Sequence, residues 1–137
     1  MKVDGIVAAF RKFDAKLDNI QWAASAIARD GAIVVSCWQH RLKPLKGNKR
    51  KILRYADEWS RWSSNHLGRR RLAEHLQKAL DENLSVRLVV VWTDDTSAVD
   101  ERKNGLNTIK KAFSVKPDLV GRVKKLDEDG YVIDFEK

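Results

Sequence analysis

Two short apolar runs constrain the fold of this chain more than any other feature of its sequence. Ala32–Trp38 and Val86–Trp92 are rich in valine and have the length of a strand, so each predicts a buried β-strand. The second run follows Arg69–Asn83, where leucines recur at helical spacing and predict an amphipathic helix. A helix that leads into a buried strand favours layered structure over a pure β-barrel. We therefore predict an α+β fold, with a small mixed, curved β-sheet and two or three helices packed against it.

Two turn signals predict β-hairpins. Asp30-Gly31 separates two apolar runs, and this dipeptide suits the positive φ angles of a tight turn, so a hairpin is expected at about 20–38. The residues before the turn are rich in alanine, and a helix that ends at Gly31 is the alternative. Asp127–Gly130 also separates two apolar runs and predicts a closing hairpin at about 119–135.

The remaining segments carry weaker patterns. A short first helix is expected within Met1–Leu17, where apolar residues lie near helical spacing. Gln39–Lys51 is expected to be an exposed loop, because it holds a proline, a glycine and many like charges. Lys51–Ser64 is interpreted as a helix, and Leu106–Phe113 fits either a helix or a strand.

Clustered positive charge is the strongest functional signal in the sequence. The formal net charge is +8 with a pI near 9.7, and the stretch from residue 41 to residue 54 holds seven Lys or Arg and no acid. A second basic run, Arg69–Arg71, stands at the start of a predicted helix, where cations oppose the helix dipole and a phosphate is favoured. The predicted phosphate contacts are Arg41, Lys43, Lys46, Lys49, Arg50, Lys51, Arg54, Arg69, Arg70 and Arg71.

Aromatic residues flank these basic segments. The chain has five tryptophans in 137 residues, and aromatics interleaved with cations are typical of surfaces that stack on nucleic-acid bases. Trp22 and Trp92 lie in apolar runs and are interpreted as structural. The predicted base contacts are Trp38, Tyr55, Trp59 and Trp62. With 43% hydrophobic residues available for a core, residues 1–137 are predicted to form a single nucleic-acid-binding domain, with DNA and RNA both open as partners.

Few residues suggest a cofactor or a membrane. Cys37 is the single cysteine, so an internal disulfide and a cysteine metal cluster are both impossible. The three histidines are scattered, and we predict no catalytic residue, no metal and no cofactor. The N-terminus has no long apolar run, and no stretch approaches the roughly 20 apolar residues that span a bilayer. We expect a cytoplasmic protein with no membrane partner.

Two other classes of function remain open at this point. Glu101-Arg102-Lys103 matches half of the PD-(D/E)xK nuclease pattern, with Asp94 or Asp95 as the missing acid, and would make the chain a metal-dependent nuclease. A protein-binding module from a mobile element, covering an acidic surface, is the third hypothesis. Plasmid cleavage with Mg²⁺ separates the nuclease from a binding domain.

The order of several short motifs along the chain resembles that of a known family of domains. Asp30-Gly31, Ser36-Cys37-Trp38, Leu88–Trp92, a Thr/Ser loop and Asp100–Lys103 together resemble the N-terminal DNA-reading domain of McrA-type modified-cytosine restriction endonucleases. The resemblance implies a domain that binds duplex DNA carrying 5-methylcytosine or 5-hydroxymethylcytosine without cutting it. It also implies that Trp38 and Ser97 lie near the modified base, and Arg102 and Lys103 near the backbone.

Overall fold

The computed structural model describes residues 5–17, 24–47, 51–61, 67–94, 96 and 111–137. Two α-helices and eight β-strands are present in these residues. The helices are α1 (Ile6–Arg11) and α2 (Leu67–Glu82). The strands are β1 (Ser25–Ile27), β2 (Ile33–Trp38), β3 (Leu42–Pro44), β4 (Leu53–Glu58), β5 (Val86–Trp92), β6 (Ala112–Val115), β7 (Val120–Leu126) and β8 (Gly130–Glu136). Short 3-10 turns follow β2 and β4.

All eight strands belong to one open, mixed sheet. Its strand order is β1-β2-β5-β7-β8-β4-β3, and β6 pairs with β5 beside this path. The β2–β5 pair is parallel, and the other strand pairs are antiparallel. The predicted α+β fold with a curved sheet is confirmed, and so are the hairpins at about 20–38 and 119–135, which are β1–β2 and β7–β8.

Helix α2 covers one face of the sheet. Leu72, Leu76 and Ala79 recur along the helix and are buried against alternate residues of the strands, as the amphipathic pattern predicts. Replacing either buried leucine with alanine should therefore lower the free energy of unfolding by about 2–5 kcal/mol. Cys37 lies in the same core, and burial raises the pKa of its thiol well above the ordinary value, so the cysteine is a core residue.

Helix α1 covers part of the opposite face. Phe10 packs with Val34 of β2 and Val89 of β5, which alternate with the residues that face α2. Among the described elements, α1 has its main contacts with β6, so it covers the β2–β5–β6 part of this face. No helix in the described part of the chain is long and apolar enough to cross a membrane.

Two predicted elements are wrong. Lys51–Ser64 is not a helix, because Leu53–Glu58 forms β4 and pairs along its whole length with β8. Tyr55 of β4 points inward and is buried, and the residues on either side of it point outward. This alternation is the period of two of a β-strand, and it becomes recognisable only once the pairing with β8 is known. The expected loop Gln39–Lys51 also holds the short edge strand β3, where Pro44 is tolerated because it lies at an edge.

Candidate nucleic-acid interface

A row of charged side chains crosses the sheet face that α2 does not cover. Lys43 of β3 is paired with Arg54 of β4, Arg54 with Asp134 of β8, and Asp134 with Arg122 of β7. Directly paired residues of antiparallel strands project to the same face. Lys43 and Arg122 are exposed and Arg54 is partly exposed, so three cations from three strands share this surface. We call Lys43, Arg54 and Arg122 the cation row.

The alternation of each strand explains how the row is positioned. Arg54, Asp134 and Arg122 each lie between residues that point the other way, into the core beneath α2. Tyr55 is paired with Ile133, and Ile133 with Val123, which form an apolar row parallel to the charged one. A one-residue slip in register would exchange the two rows, and burial of the apolar row prevents this.

Asp134 fixes the middle of the row. Its carboxylate accepts two hydrogen bonds from Arg54, at 2.7 Å from Nε and 2.9 Å from Nη2. This forked geometry orients the guanidinium, and the hydrogen bond raises the pKa of Arg54. Arg54 therefore keeps a fixed positive charge between two exposed cations.

A hollow of about 710 Å³ adjoins the row. Ala56 and Val132 line it and occupy the next outward positions after Arg54 and Asp134 on β4 and β8. Three cations from distant parts of the sequence also line this hollow, namely Arg41, Arg69 and Lys125. Its acidic lining residues on the surface are Glu58, Glu128 and Asp129. We call this cavity the hairpin-end hollow, because it opens beside the β7–β8 turn.

Buried Asp57 anchors one of these cations. The Asp57 carboxylate lies 3.8 Å from the Arg41 guanidinium, and the backbone N–H of Glu58 donates to it at 2.9 Å. The hydroxyl of Tyr131 donates to its other oxygen at 3.4 Å. The carboxylate is fully shielded from solvent while the Arg41 side chain is 26% exposed, so the ion pair holds Arg41 at the rim of the hollow.

Trp59 forms part of the floor of the hollow. It is only 5% exposed, and its Nε1 donates to the carbonyl oxygen of Asp127 at 2.9 Å. The Arg69 guanidinium lies 5.8 Å from the ring centroid, and the Tyr131 ring lies 5.0 Å from it. These contacts account for the burial of Trp59 and place Arg69 over its ring, at the edge of the hollow.

The other predicted base contacts lie at different depths. Tyr55 is buried, and its hydroxyl accepts a hydrogen bond from the backbone N–H of Trp38 at 3.3 Å. Trp38 is partly exposed, with its ring 6.4 Å from that of His40. Tyr55 and Trp59 are buried in the core beneath α2, whereas Trp38 packs against that core and is partly exposed. Trp62 and Ser97 lie outside the described residues.

The predicted cations also divide into groups. Lys43, Lys46, Lys51 and Arg70 are exposed, and the partly exposed Arg71 lies 3.4 Å from Glu74. The residues that lie outside the described part of the chain are Lys49, Arg50, Arg102 and Lys103, together with Asp95 and Glu101 of the nuclease pattern. Among the described residues, no group of three potential metal ligands comes together.

Two cations of this surface were not predicted. Arg122 and Lys125 belong to β7, whose sequence was interpreted only as one side of a hairpin. The alternation of Arg122 with inward Gly121 and Val123 is a signal that Arg122 faces outward. Lys125 is paired with Val132 only because the register shifts between Val123 and Lys125, and the sequence gives no signal of that shift. Their closeness to Arg54 and Arg41 depends on strand order, which the sequence pattern does not reveal.

Comparison of the chain with protein-family models, curated proteins and solved structures finds no match. The cation row and the hairpin-end hollow are therefore the features of the molecule from which a function can be inferred.

Proposed function

We propose that this chain is a non-catalytic DNA-binding domain that contacts the backbone of duplex DNA and reads modified cytosine, either 5-methyl or 5-hydroxymethyl. The observation that carries the proposal is the cation row, in which Lys43, Arg54 and Arg122 share the sheet face opposite α2. A row of cations on a regular strand spacing suits a ligand with regularly spaced negative charges.

The dimensions of the row support a phosphodiester ligand. From β3 to β7 the row crosses three strand spacings, or about 14 Å, which equals the axial rise of about four base pairs. Arg54 is held in place by Asp134, so little side-chain freedom is lost when it contacts a phosphate. The carboxylate of Asp134 is engaged by that same guanidinium, which reduces its repulsion of a phosphate.

Preference for a base must come from another part of the surface, because phosphate contacts carry no sequence information. The hairpin-end hollow adjoins the row and combines cations with the carboxylates of Glu58 and Asp129. Carboxylates accept a hydrogen bond from the exocyclic amine of cytosine. Ala56 and Val132 add an apolar patch suited to a methyl group. We propose that this hollow, together with the partly exposed Trp38, provides the preference for modified cytosine.

The test is a set of binding titrations at several salt concentrations. The probes are unmodified, 5-methylcytosine and 5-hydroxymethylcytosine duplexes of one sequence, with a single-stranded RNA beside them. We expect modified duplexes to bind most tightly, and the Lys43→Ala/Arg122→Ala variant to weaken binding to every duplex. For this variant, the slope of log Kd plotted against the logarithm of the salt concentration should fall by about two units, one for each lost phosphate contact.

The matched control is Lys78→Ala/Lys137→Ala, which removes two lysines that do not belong to the row, the partly exposed Lys78, paired with Glu82, and the exposed Lys137, paired with Asp118. This variant should retain the wild-type salt slope. An unchanged slope in Lys43→Ala/Arg122→Ala would contradict the proposed interface. Tighter binding of the RNA than of any duplex would contradict duplex DNA as the ligand.

A further inference from the structure

A second hollow lies at the β1 edge of the sheet, apart from the surface described above. Its volume of about 410 Å³ falls within the range of roughly 300–1,000 Å³ that is typical of small-molecule sites. Its lining residues are the cations Arg11, Lys16 and Arg29, the apolar residues Val7, Ala15 and Leu17, and the acid Asp14. We call this cavity the β1-edge hollow.

Backbone contacts hold the walls of the β1-edge hollow in place. The N–H of Ala15 donates to the carbonyl of Phe10 at 3.1 Å. The N–H of Arg29 donates to the carbonyl of Asp14 at 2.9 Å, and Ala15 forms an isolated antiparallel bridge with Ala28. These contacts join the segment after α1 to the residues after β1. The hollow is therefore formed before a ligand enters, and little backbone freedom is lost on binding.

The cations give this hollow a net positive charge. Arg11, Lys16 and Arg29 are exposed, and Asp14 is the one acid among the lining residues. None of the three cations has an ion-pair partner in the part of the chain that the structure describes. Like charges around one concave surface repel one another, and an anion between them relieves the repulsion. The hollow therefore favours an anionic ligand.

Apolar side chains line the rest of the hollow. Ala15 and Leu17 are buried in the cluster beneath α1, whereas Val7 of α1 is 42% exposed. A ligand that covers Val7 removes apolar surface from water, which favours binding. Inorganic phosphate or a nucleic-acid backbone would leave this apolar surface exposed. A well-matched ligand therefore has an apolar part beside its anionic group.

Helix α1 and the residues beneath it separate this hollow from the cation row. Phe10 packs with Val34 and Val89 on the β2–β5 part of the sheet face. The Arg87 guanidinium lies 5.1 Å from the centroid of the Phe13 ring, beside the same cluster. These side chains occupy the surface between the β1 edge and β7. A nucleic acid on the cation row therefore does not continue into the β1-edge hollow, which is open to a ligand of its own.

We propose that the β1-edge hollow is a separate binding site for a small amphiphilic anion. The carboxylate or phosphate group of this ligand contacts Arg11, Lys16 and Arg29, and its apolar chain covers Val7 and Leu17. The site does not depend on the proposed DNA-binding function, because it uses other residues and another kind of ligand.

The test is an NMR titration of the ¹⁵N-labelled full chain with octanoate and with octyl phosphate. We expect saturable binding of at least one of them, with a Kd of about 1 mM or below. The backbone amides that shift should lie in residues 7–17 and 28–29, and those of β3, β4 and β7 should not shift. The tighter of the two ligands identifies the preferred anionic group.

Three further probes separate the two parts of the ligand. Acetate and inorganic phosphate carry the charge without the chain, and 1-octanol carries the chain without the charge. Each should bind at least about tenfold more weakly than the better amphiphile, because it lacks either the apolar contact or the charge-assisted hydrogen bonds. If 1-octanol or inorganic phosphate bound as tightly as the better amphiphile, the site would not select an amphiphilic anion and the inference would be overturned.

The Lys16→Ala/Arg29→Ala variant tests the cationic side of the site. Both side chains are exposed, so the variant should remain folded, and unchanged amide signals in α2 and β5 check this. We expect its Kd for the better amphiphile to rise on the order of tenfold. Lys78→Ala/Lys137→Ala, which removes two lysines that do not line the hollow, is the matched control and should keep the wild-type Kd.

The Val7→Thr variant tests the apolar side of the site. It replaces one methyl group of a partly exposed side chain with a hydroxyl group and leaves the branching at Cβ unchanged. The Kd for the better amphiphile should rise about threefold, whereas that for inorganic phosphate should not change. An unchanged Kd for the amphiphile would contradict the contact between its chain and Val7.

Other results would also overturn the inference. One is the absence of saturable binding of both amphiphiles up to about 10 mM. Amide shifts centred on the cation row are another. An equal rise of Kd in Lys16→Ala/Arg29→Ala and in its control is a third, because the net charge of the protein would then attract the ligand without this hollow. None of these results bears on DNA binding, which is tested with other probes and other variants.

Discussion

At the scale of single residues, the closest backbone approach at the hairpin-end hollow depends on Gly130. A Cβ added at this position would meet the carbonyl oxygen of Asp57 and lie 3.1 Å from the Cα of Glu58, and both are backbone atoms of β4. Backbone atoms in a paired strand cannot move aside as a flexible side chain does. Gly130→Ala is therefore expected to lower the free energy of unfolding by about 1–3 kcal/mol. Urea denaturation measures this change.

Gly5→Ala is the control for that substitution. Nothing lies within 4 Å of a Cβ built on Gly5, and its φ of −77° suits any residue. Its effect should stay below about 1 kcal/mol. If the free energy of unfolding fell by the same amount in the two variants, steric crowding against β4 would not be the reason for glycine at position 130.

At the scale of elements, the β7–β8 turn depends on the charge of Asp127. The carboxylate accepts hydrogen bonds from the N–H groups of Asp129 and Gly130, and the first of these is the main reason that the pKa of Asp127 lies below its ordinary value. A depressed carboxyl pKa stabilises the folded state above the unfolded pKa of about 3.9, and this stabilisation is lost as the pH falls through the folded pKa.

Asp127→Asn tests this dependence, because it removes the charge and keeps an acceptor oxygen. Wild type should be more stable than the variant at pH 6, and the difference should shrink between about pH 5 and pH 2. Denaturant unfolding across this range measures it. Glu128→Gln, which removes a carboxylate from the same turn, is the matched control. A difference that stays constant as the pH falls would contradict the role assigned to the Asp127 charge.

The elements also show what the sequence reveals and what it does not. Ala32–Trp38, Val86–Trp92 and the α2 pattern were correctly interpreted because each contains its own periodicity or apolar length. β4 was mistaken for a helix because its apolar residues also fit helical spacing, and only pairing with β8, far along the chain, selects the strand. For the same reason the sequence predicts Arg54 as a phosphate contact but does not predict that Asp134 and Arg122 lie beside it.

At the scale of the whole molecule, the arrangement of charge matters more than its total. A net charge of +8 attracts any polyanion, but it does not select one surface. Lys43, Arg54 and Arg122 lie on one line across the sheet, and α2 covers the opposite face. A ligand that uses this line binds the folded sheet and has no equivalent surface in the unfolded chain, where strand order no longer brings the cations together.

Binding to the folded state alone predicts a salt-sensitive thermal shift. Duplex DNA at a hundredfold excess over Kd should stabilise the protein by about 2.7 kcal/mol, which corresponds to roughly 10 °C in Tm for a domain of this size. If three phosphate contacts carry the binding, a tenfold rise in salt lowers the affinity by about three orders of magnitude and should abolish the shift. Differential scanning calorimetry at the two salt concentrations measures it. Lys43→Ala/Arg122→Ala should have the same Tm as wild type without DNA and should lose most of the DNA-induced shift at low salt. An equal shift of wild type at both salt concentrations would show that the cations of the row do not hold the DNA.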